Sequence, residues 1–310
     1  MSPPKREFQG HSSPTEKLSA PRGEARTLSR SATRARLQAL GSLLEDESPV
    51  VWKEIRRGIN SAGKCAVPML RKARNSTSPR TRSRARQLLL ARARATAIRR
   101  LIRYAAKPAI DLESALFLLA QHHSPGLDMR PYRKAIDAFA RAVQERSRKC
   151  ENDRDRLMVL CEYLGQELQF GGELDNYHHP DNAQLHRTIE RNTGLPLTIT
   201  AIYMLVARRI GLRVAALPLP GHVMLRAYAG SSTVIIDPFY YGHVRTEREC
   251  LQYLAKNGLK FKSEWFNDAD DRSLFLRQVI NLYRCYQLHG LRNETRGLKV
   301  LIQAIKHAGA

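Results

Sequence analysis

A histidine and an aspartate, residue types that together activate a nucleophile in acyl-transfer enzymes, occur in the segment PGHVMLRAYAGSSTVIIDPF, residues 220–239. Two runs rich in apolar residues on either side of a glycine-containing turn predict a β-hairpin. If Ala229 and Gly230 form the two-residue loop, His222 and Asp237 lie directly opposite each other on one face. An imidazole oriented by a carboxylate can take a proton from a hydroxyl or a thiol, so a nucleophile is expected nearby.

A helix that could carry this nucleophile is predicted in TGLPLTITAIYMLVARRIG, residues 193–211. Thr193 or Gly194 is expected to cap the helix, Pro196 suits its first turn, and Gly211 suits a left-handed ending. Apolar residues lie on nearly all sides of this helix. That pattern is typical of a helix buried at the centre of a domain.

A set of distinctive residues surrounds these two elements: Gly126-Leu127-Asp128, Tyr177, Pro180, Asn182, Leu185, Arg191, Gly194-Leu195-Pro196-Leu197, Tyr203, Gly211-Leu212, Pro220-Gly221-His222 and Asp237-Pro238-Phe239. With these residues, the region 111–250 resembles the transglutaminase-like superfamily, and within it the SirB-type branch. The resemblance implies an α+β fold that is mostly helical. Its papain-like core would place a central buried helix against a small antiparallel sheet.

The resemblance also implies where the nucleophile should lie. In catalytic members a cysteine occupies the first turn of the central helix, where the helix N-terminus stabilises its thiolate. Fifteen residues before Gly211, the corresponding position of this chain is Pro196. The hydroxyl of Thr198 or an activated water could replace the thiol. Cys161 could do so only if the preceding helix brought it alongside, and its apolar neighbours predict a core position instead.

Without a cysteine, the His222–Asp237 pair is expected to be a structural hydrogen bond or the floor of a binding cleft. The other residues predicted to form this cleft are Tyr177, Asn182, Arg191, Gly194, Pro196, Tyr203, Gly221, Pro238 and Phe239. Tyr240 and Tyr241 follow Phe239 in the sequence. These aromatic residues could recognise a ligand or pack under the end of the strand.

No metal centre and no cofactor are predicted, although His178, His179, His186 and His222 occur near the site. The stretch HHPDNAQLH has neither two histidines four residues apart on a helix nor a paired cysteine motif. Adjacent histidines beside a proline are more typical of a loop.

The positive charge of the chain is concentrated in its N-terminal third. Residues 1–108 hold 25 Lys and Arg against 7 Asp and Glu, a net of +18, out of +23 for the whole chain. Residues 71–103 contain twelve basic residues and no acidic one. From about Arg80 they predict a helix whose apolar stripe consists of Leu88, Ala91, Ala95, Ile98 and Ile102.

Arginines off that stripe could follow the phosphates of a nucleic acid or contact an anionic membrane surface. They could equally form a solvated face. The candidate residues for such a surface are Arg80, Arg82, Arg84, Arg86, Arg92, Arg94, Arg99 and Arg100.

The five cysteines, Cys65, Cys150, Cys161, Cys250 and Cys285, show no paired spacing, which is consistent with a reducing compartment. The N-terminal sequence MSPPKREFQG lacks the apolar segment of a signal peptide. No apolar run approaches the roughly 18 residues of a membrane span. We therefore expect a cytoplasmic protein without a transmembrane segment.

Four regions are predicted along the chain: a disordered basic tail (1–35), a basic helical segment similar to HEAT repeats (36–108), the transglutaminase-like domain (109–265) and a tetratricopeptide-like helix pair (266–310). The predicted helices include one that starts at Ser48-Pro49, one at 67–73, and others at 111–121, 130–147, 153–168 and 246–256. The C-terminal pair is expected to turn at His289-Gly290.

Three functions are consistent with these patterns. The first is a non-catalytic module that binds protein partners or has a regulatory role, with a retained His–Asp pair. The second is a hydrolase or acyl transferase that uses His222 and Asp237 with Thr198 or water. The third is an RNA- or ribosome-associated factor that acts through its basic N-terminal third. The sequence leans towards the first of these, because the central helix offers no thiol.

Overall fold

The computed structural model describes residues 30–309. Most of the disordered tail predicted for residues 1–35 therefore lies outside the described residues, and the first helix begins at Arg30. The contacts divide the chain after Ala85, so that residues 86–310 form one unit. The boundaries that the sequence predicts, after residues 35, 108 and 265, stay a prediction. The HEAT-like and tetratricopeptide-like character of the flanking segments stays a prediction.

The first unit contains α1 (Arg30–Ser42), α2 (Pro49–Ser61), α3 (Val67–Ala73) and the first residues of α4 (Pro79–Ala105). Helix α2 begins as predicted, with the Ser48 hydroxyl accepting a hydrogen bond from the backbone nitrogen of Val51. The buried apolar residues of this unit are Leu37, Leu44, Ile55, Ile59, Ala66, Leu70 and Ala85.

The second unit is mostly helical. After the remainder of α4 it contains α5 (Leu112–His123), α6 (Arg130–Arg146), α7 (Asp153–Cys161), α8 (Leu185–Arg191), α9 (Pro196–Arg209), α10 (Glu247–Lys256), α11 (Asp271–Leu288) and α12 (Arg292–Ala308). A π-helical turn, Glu162–Glu167, continues α7. Helix α10 starts with a capping box, in which Thr246 and Glu249 bond each other's backbone nitrogens.

The strands form two small sheets. A four-stranded antiparallel sheet has the order β3 (Val214–Leu217), β4 (Met224–Ala229), β5 (Ser232–Asp237), β6 (His243–Arg245). A parallel pair joins β1 (Gly171–Gly172) to β2 (Thr193–Gly194) and was not predicted. Mostly helical structure with a small antiparallel sheet confirms the predicted α+β class.

Helix α9 lies at the centre of the second unit, as its sequence predicts. Every residue from Pro196 to Ala207 is buried. The helix contacts β3 and β4 on the sheet and α6 and α11 among the helices. Gly211 has φ +80°, so it ends the helix in the left-handed conformation that favours glycine.

Three details of the sequence prediction were wrong. The hairpin turn lies at Gly230-Ser231, because Ala229 pairs with Ser232. Helix α9 is preceded by Leu195 in an extended conformation, as expected before a proline, and neither Thr193 nor Gly194 caps it. On α4, Ala91 and Ala95 are exposed.

On the same helix Leu101, which the predicted stripe did not include, is fully buried. An alanine buries little apolar surface, so the larger Leu101 gains more from facing the core. Among residues 30–309, no helix combines the length and the apolar content needed to cross a bilayer.

Candidate functional site

The structure brings His222 and Asp237 into direct contact. His222 Nε2 lies 2.8 Å from Asp237 Oδ1, and both residues are buried, at 6% and 1% exposure. His222 does not belong to β4 but to the loop that precedes it. In the tautomer whose Nε2–H donates to the carboxylate, Nδ1 is the acceptor nitrogen of the ring. Nδ1 has no hydrogen-bond partner among the described residues.

The loop before β4 fixes the position of the histidine. Gly221 has φ +77°, and a Cβ there would stand 2.9 Å from the Tyr253 hydroxyl. That hydroxyl donates to the carbonyl of Pro220 at 3.1 Å. The guanidinium of Arg277 donates to the carbonyl of His222 at 2.9 Å. A glycine is therefore required beside the histidine both by its backbone angle and by the space that Tyr253 occupies.

Asp237 is held at the other end of the hairpin, as the last residue of β5. Its second carboxylate oxygen lies 3.5 Å from Arg245 Nε on β6. Its carbonyl accepts a hydrogen bond from the backbone of Gly242 at 3.0 Å, which closes the turn between the two strands. The carboxylate thus has partners on both of its oxygens.

Aromatic rings surround the imidazole. The centroids of Phe239, Tyr240 and Tyr253 lie 5.6, 6.3 and 5.5 Å from that of His222. Phe239 is buried, whereas Tyr240 exposes 45% of its surface and Tyr241 exposes 40%. The buried ring shields the His–Asp pair, and the exposed rings give a molecule in solution an aromatic surface beside it.

Two glycines leave room for the aromatic rings of residues 239–241. A Cβ on Gly172 would stand 2.2 Å from the Phe239 ring, and one on Gly171 would stand 2.5 Å from the Tyr241 ring. Pro238 begins the short 3-10 turn that carries Phe239. Tyr177 approaches the same place, with its ring 6.3 Å from Phe239. The predicted cleft residues Tyr177, Pro238 and Phe239 therefore lie together near His222.

Asn182 organises the segment in front of α9. Its side-chain nitrogen donates to the carbonyls of Asn176 at 2.7 Å and Tyr177 at 3.2 Å, and its side-chain oxygen accepts from Arg191 at 3.0 Å. Its own carbonyl accepts from the backbone of Leu195 at 2.9 Å. Arg191 also pairs with Glu173 at 3.3 Å. Asn182 and Arg191 are thus held by other parts of the protein rather than left available to a ligand.

Thr198 is fully buried, and both hydrogen-bonding functions of its hydroxyl are used. Oγ1 donates to the carbonyl of Asn182 at 2.9 Å and accepts from Gln278 Nε2 on α11, also at 2.9 Å. The hydroxyl proton therefore points to a backbone carbonyl and not to an imidazole. This geometry does not favour Thr198 as a nucleophile.

The position expected for a catalytic cysteine is a buried proline in the first turn of α9. Pro196 carries no group that can attack a carbonyl. Gly194, two residues before it, has no room for a side chain, because a Cβ would stand 2.6 Å from Thr188 Oγ1. Among the described residues at this helix N-terminus, none offers a thiol.

Cys161 and Tyr203 lie in the core. Burial raises the pKa of the Cys161 thiol to about 12, so the thiolate needed for nucleophilic attack is disfavoured. Burial also raises the pKa of Tyr203, whose hydroxyl donates to the carbonyl of Phe170 at 3.4 Å. Both residues pack under the Gly242 turn. Their surroundings indicate structural roles.

The histidines considered for a metal centre are dispersed. His178 stacks edge-on against Tyr177, His179 against His289, and His186 lies near His123 and Tyr132. Within residues 30–309 no group of three or more His, Cys, Asp or Glu side chains is arranged to hold a metal ion.

His122 and His186 form part of a buried polar cluster between α5, α8 and α11. Burial, with the charges of Arg94 and His123, lowers the pKa of His122 to about 4. Burial also lowers the pKa of His186 to about 4, while Glu190 and Asp181 oppose the shift. His123 joins the cluster to the rest of the fold, with contacts of 2.8 Å to Tyr286 Oη and 3.1 Å to Asp181 Oδ1.

We expect this cluster to make stability depend on pH below neutrality. The folded-state pKa of each histidine lies below its unfolded value of 6.5, so the stabilisation is complete above pH 6.5 and is lost as the pH falls towards 4. Between pH 7 and 5 each histidine should cost about 2 kcal/mol of unfolding free energy. Urea unfolding at both pH values measures this loss.

His122→Gln and His186→Gln should each reduce the pH dependence of that free energy, whereas His243→Gln, at an exposed histidine of β6, should leave it unchanged. Carboxylates in ion pairs affect the unfolding free energy in a lower pH range. Hydrogen bonding to His123 lowers the pKa of Asp181 to about 2, so its contribution is lost only below pH 3.8. An equal pH dependence in all three variants would contradict the assignment.

The candidate phosphate-binding arginines differ in how they are engaged. In the first unit, Arg80 pairs with Glu47, Arg82 donates to the carbonyls of Ser76 and Thr77, and Arg84 lies over Trp52 and caps carbonyls. In the second unit, Arg94 pairs with Glu294. Arg86, Arg99 and Arg100 are exposed, whereas Arg92 is partly buried. The exposed three are therefore the better candidates for an external anion.

Sequence reasoning missed several residues that shape the site: Gly165, Tyr253, Arg277 and Gln278. The last two come from α11, which had been assigned to a separate region. Gln278 is fully buried, and its side chain reaches the carbonyl of Ala183 at 2.7 Å. A glutamine and an arginine on the apolar side of an amphipathic helix were the available signal.

The family of this region follows from comparison with known proteins. A sequence model described as Transglutaminase-like superfamily matches residues 130–279. Residues 130–279 are a transglutaminase-like domain. The match includes half of α11, which agrees with the place of Gln278 in the core. Assignment to the SirB-type branch stays a prediction.

The curated relatives are distant. A UPF0162 protein of Xylella fastidiosa (strain Temecula1) is 26% identical over 184 residues, 57% of this chain and 65% of the relative. F-box only protein 21 of Mus musculus is 30% identical over 136 residues, 41% of this chain and 21% of that protein. The chain thus spans less than two thirds of the length of these relatives. No solved structure matches it at a comparable level.

Proposed function

We propose that the His222–Asp237 site of this transglutaminase-like domain binds a protein partner and does not carry out nucleophilic catalysis. The observation that carries the proposal is Pro196 at the position of the nucleophile, together with a Thr198 hydroxyl that is bonded to Asn182 and Gln278. An imidazole with no nucleophile to deprotonate retains a free Nδ1, which can accept a hydrogen bond from a bound molecule.

The surface beside the pair suits a protein partner. Tyr240, Tyr241 and Val244 each expose 40% or more of their surface. Large aromatic groups of this kind are enriched where proteins bind one another. The match with a protein named F-box only protein 21 also favours interaction with proteins.

Affinity capture with the full chain tests this proposal. Wild type, His222→Ala and His243→Ala would be compared at low and high salt, with captured proteins quantified by mass spectrometry. We expect a defined partner that survives high salt, is lost with His222→Ala and is retained with His243→Ala, since His243 is exposed on β6. Thermal unfolding of each variant ensures that a loss of binding does not reflect a loss of fold. Equal capture by all three proteins would contradict the proposal.

A second candidate function rests on the charge of the N-terminal third, a net of +18 over residues 1–108. Exposed Arg86, Arg99 and Arg100 would contact the phosphates of a nucleic acid. Replacing all three by Gln should make the binding of double-stranded DNA less dependent on salt, by about 0.9 in the logarithmic slope for each lost contact. An unchanged slope would exclude these arginines.

A further inference from the structure

A guanidinium without a carboxylate partner lies beside the His222–Asp237 site. Arg277 on α11 is partly buried, and its Nη2 donates to the carbonyls of Leu219 and His222. Among residues 30–309, no aspartate or glutamate forms an ion pair with it, and no hydrogen bond uses its Nε or Nη1. The N–H groups of Nε and Nη1 are therefore left without a partner among the described residues.

Arg272, five residues earlier on α11, is a guanidinium whose donors are bonded within the protein. Both of its terminal nitrogens donate to carbonyls, those of Ala105, Lys107 and Pro108. These carbonyls follow the C-terminus of α4, where the helix dipole adds negative potential. Arg277 has two carbonyls on a single nitrogen and no helix end, so its charge is compensated less completely.

Among residues 30–309, the groups that shift the pKa of Arg277 include no carboxylate. Burial lowers the pKa of Arg277, the phenol groups of Tyr177 and Tyr253 oppose that shift, and nearby Arg284 adds to it. A guanidinium keeps its charge at physiological pH, so burial without a counter-charge costs free energy. An anion that reaches the unused N–H groups would offset this cost.

Further along α11, Arg284 extends the same positive surface. It lies seven residues after Arg277, two helical turns on the same side, and it is exposed with no ion pair among the described residues. Beyond it, the rings of His289 and His179 stack edge-on, 5.6 Å apart. We call Arg277 and Arg284 the α11 cationic pair.

We propose that the α11 cationic pair binds the carboxylates of an acidic segment in the protein partner that occupies the His222–Asp237 site. The inference rests on the proposed function and names the chemistry of the partner. The unused N–H groups of Arg277 can each donate to a carboxylate oxygen, and the neighbouring rings of Tyr177 and Tyr253 suit a polypeptide. Two arginines are too few to follow the phosphates of a nucleic acid.

The test uses the full chain and two capped peptides, one of six glutamates and one of six glutamines. Because the N-terminal third also attracts anions, binding must be read at the site itself. The Nε–H resonance of Arg277 in a ¹H–¹⁵N NMR titration supplies that readout. We expect the glutamate peptide to shift this resonance and the glutamine peptide to leave it in place.

Three Arg→Gln variants, each with the loss of one positive charge, show which arginines bind the glutamate peptide. In Arg277→Gln, binding is followed by the backbone resonances of residues 219–222. Arg277→Gln and Arg284→Gln should each weaken glutamate-peptide binding about tenfold or more, the effect of one charge-assisted hydrogen bond. Arg141→Gln, at an exposed position of α6, should leave it unchanged. Arg284 is exposed and makes no hydrogen bond or ion pair among the described residues, so its variant keeps the test valid if Arg277→Gln is unstable.

Equal affinity of Arg284→Gln and Arg141→Gln for the glutamate peptide would overturn the inference. So would a response of the Arg277 resonance to inorganic phosphate but not to the glutamate peptide. A different result separates the proposed function from this inference. If His222→Ala abolishes partner capture while Arg277→Gln and Arg284→Gln do not, the site binds a protein but the acidic segment is excluded.

Discussion

Gly165→Ala is expected to lower the unfolding free energy of the unit formed by residues 86–310 by about 3 kcal/mol. A Cβ at Gly165 would stand 2.0 Å from the carbonyl oxygen of Tyr241 and 2.9 Å from the Tyr203 hydroxyl. The first of these neighbours is backbone, which cannot rotate away as a side chain can. Urea unfolding followed by circular dichroism measures the loss.

Gly297→Ala on α12 is the matched control. Its Cβ would meet the side chain of Ile98 at 2.9 Å, and alanine also favours a helix over glycine by about 1 kcal/mol. The two effects should nearly cancel. If Gly165→Ala destabilises the protein no more than Gly297→Ala, the packing described at the π-helical turn is wrong.

The π-helical turn contacts the segment that follows Asp237. Gln166 Nε2 donates to the carbonyl of Tyr241 at 3.3 Å, and the backbone of Gly242 donates to the carbonyl of Asp237. A wider helical turn at Glu162–Glu167 makes room for that contact. Displacing Tyr241 would therefore also disturb the carboxylate that orients His222.

Asp237→Ala is expected to cost about 3 kcal/mol of unfolding free energy, because it leaves the buried His222 without its acceptor and Arg245 with Glu249 alone. His222 Nε2 would lose its contact of 2.8 Å, and Arg245 would lose its neighbour at 3.5 Å. Asp237→Asn, which preserves the shape and an acceptor oxygen, should cost less. Chemical denaturation of the three proteins at pH 7 provides the comparison.

Asp268→Ala is the control for removing an acid from the neighbourhood of the same sheet. Asp268 pairs with Arg226 on β4 at 2.9 Å, but its side chain is 38% exposed. Solvent screens such a pair, so we expect a cost of less than about 1 kcal/mol. Equal costs for Asp237→Ala and Asp268→Ala would show that burial does not strengthen the His222–Asp237 contact.

The sequence predicted the helices well because their signals are local. Ser48-Pro49, Thr246 with Glu249, and Gly211 each mark a helix end through chemistry within a few residues. The all-round apolar character of α9 likewise predicted its central position. These features need no knowledge of which segments meet in space.

The hairpin shows how a local error can leave a contact intact. The register differs by two positions from the predicted one, since the turn lies at Gly230-Ser231. Side chains alternate between the faces of a strand, so a shift of two positions leaves Asp237 on the predicted face of β5. The loop around Gly221 then brings the imidazole to the carboxylate.

The remaining features depend on contacts between distant segments. Gln278 reaches Thr198 across 80 residues of sequence, and Arg277 reaches His222 across 55. No motif within α11 indicates either partner. A distant residue also explains why position 165 must be glycine. A Cβ there would collide with the carbonyl oxygen of Tyr241.

Peptide mapping after reaction with electrophiles shows whether the His222–Asp237 pair acts on a nucleophile. The native full chain would be treated with iodoacetamide and a fluorophosphonate. Pro196→Cys, treated in parallel, would serve as the positive control for entry to the site. We predict no adduct on Thr198 or Cys161 in the native chain, and an adduct at residue 196 in the variant. An adduct on Thr198 or Cys161 that disappears with His222→Ala would show that His222 activates a nucleophile, contrary to this prediction.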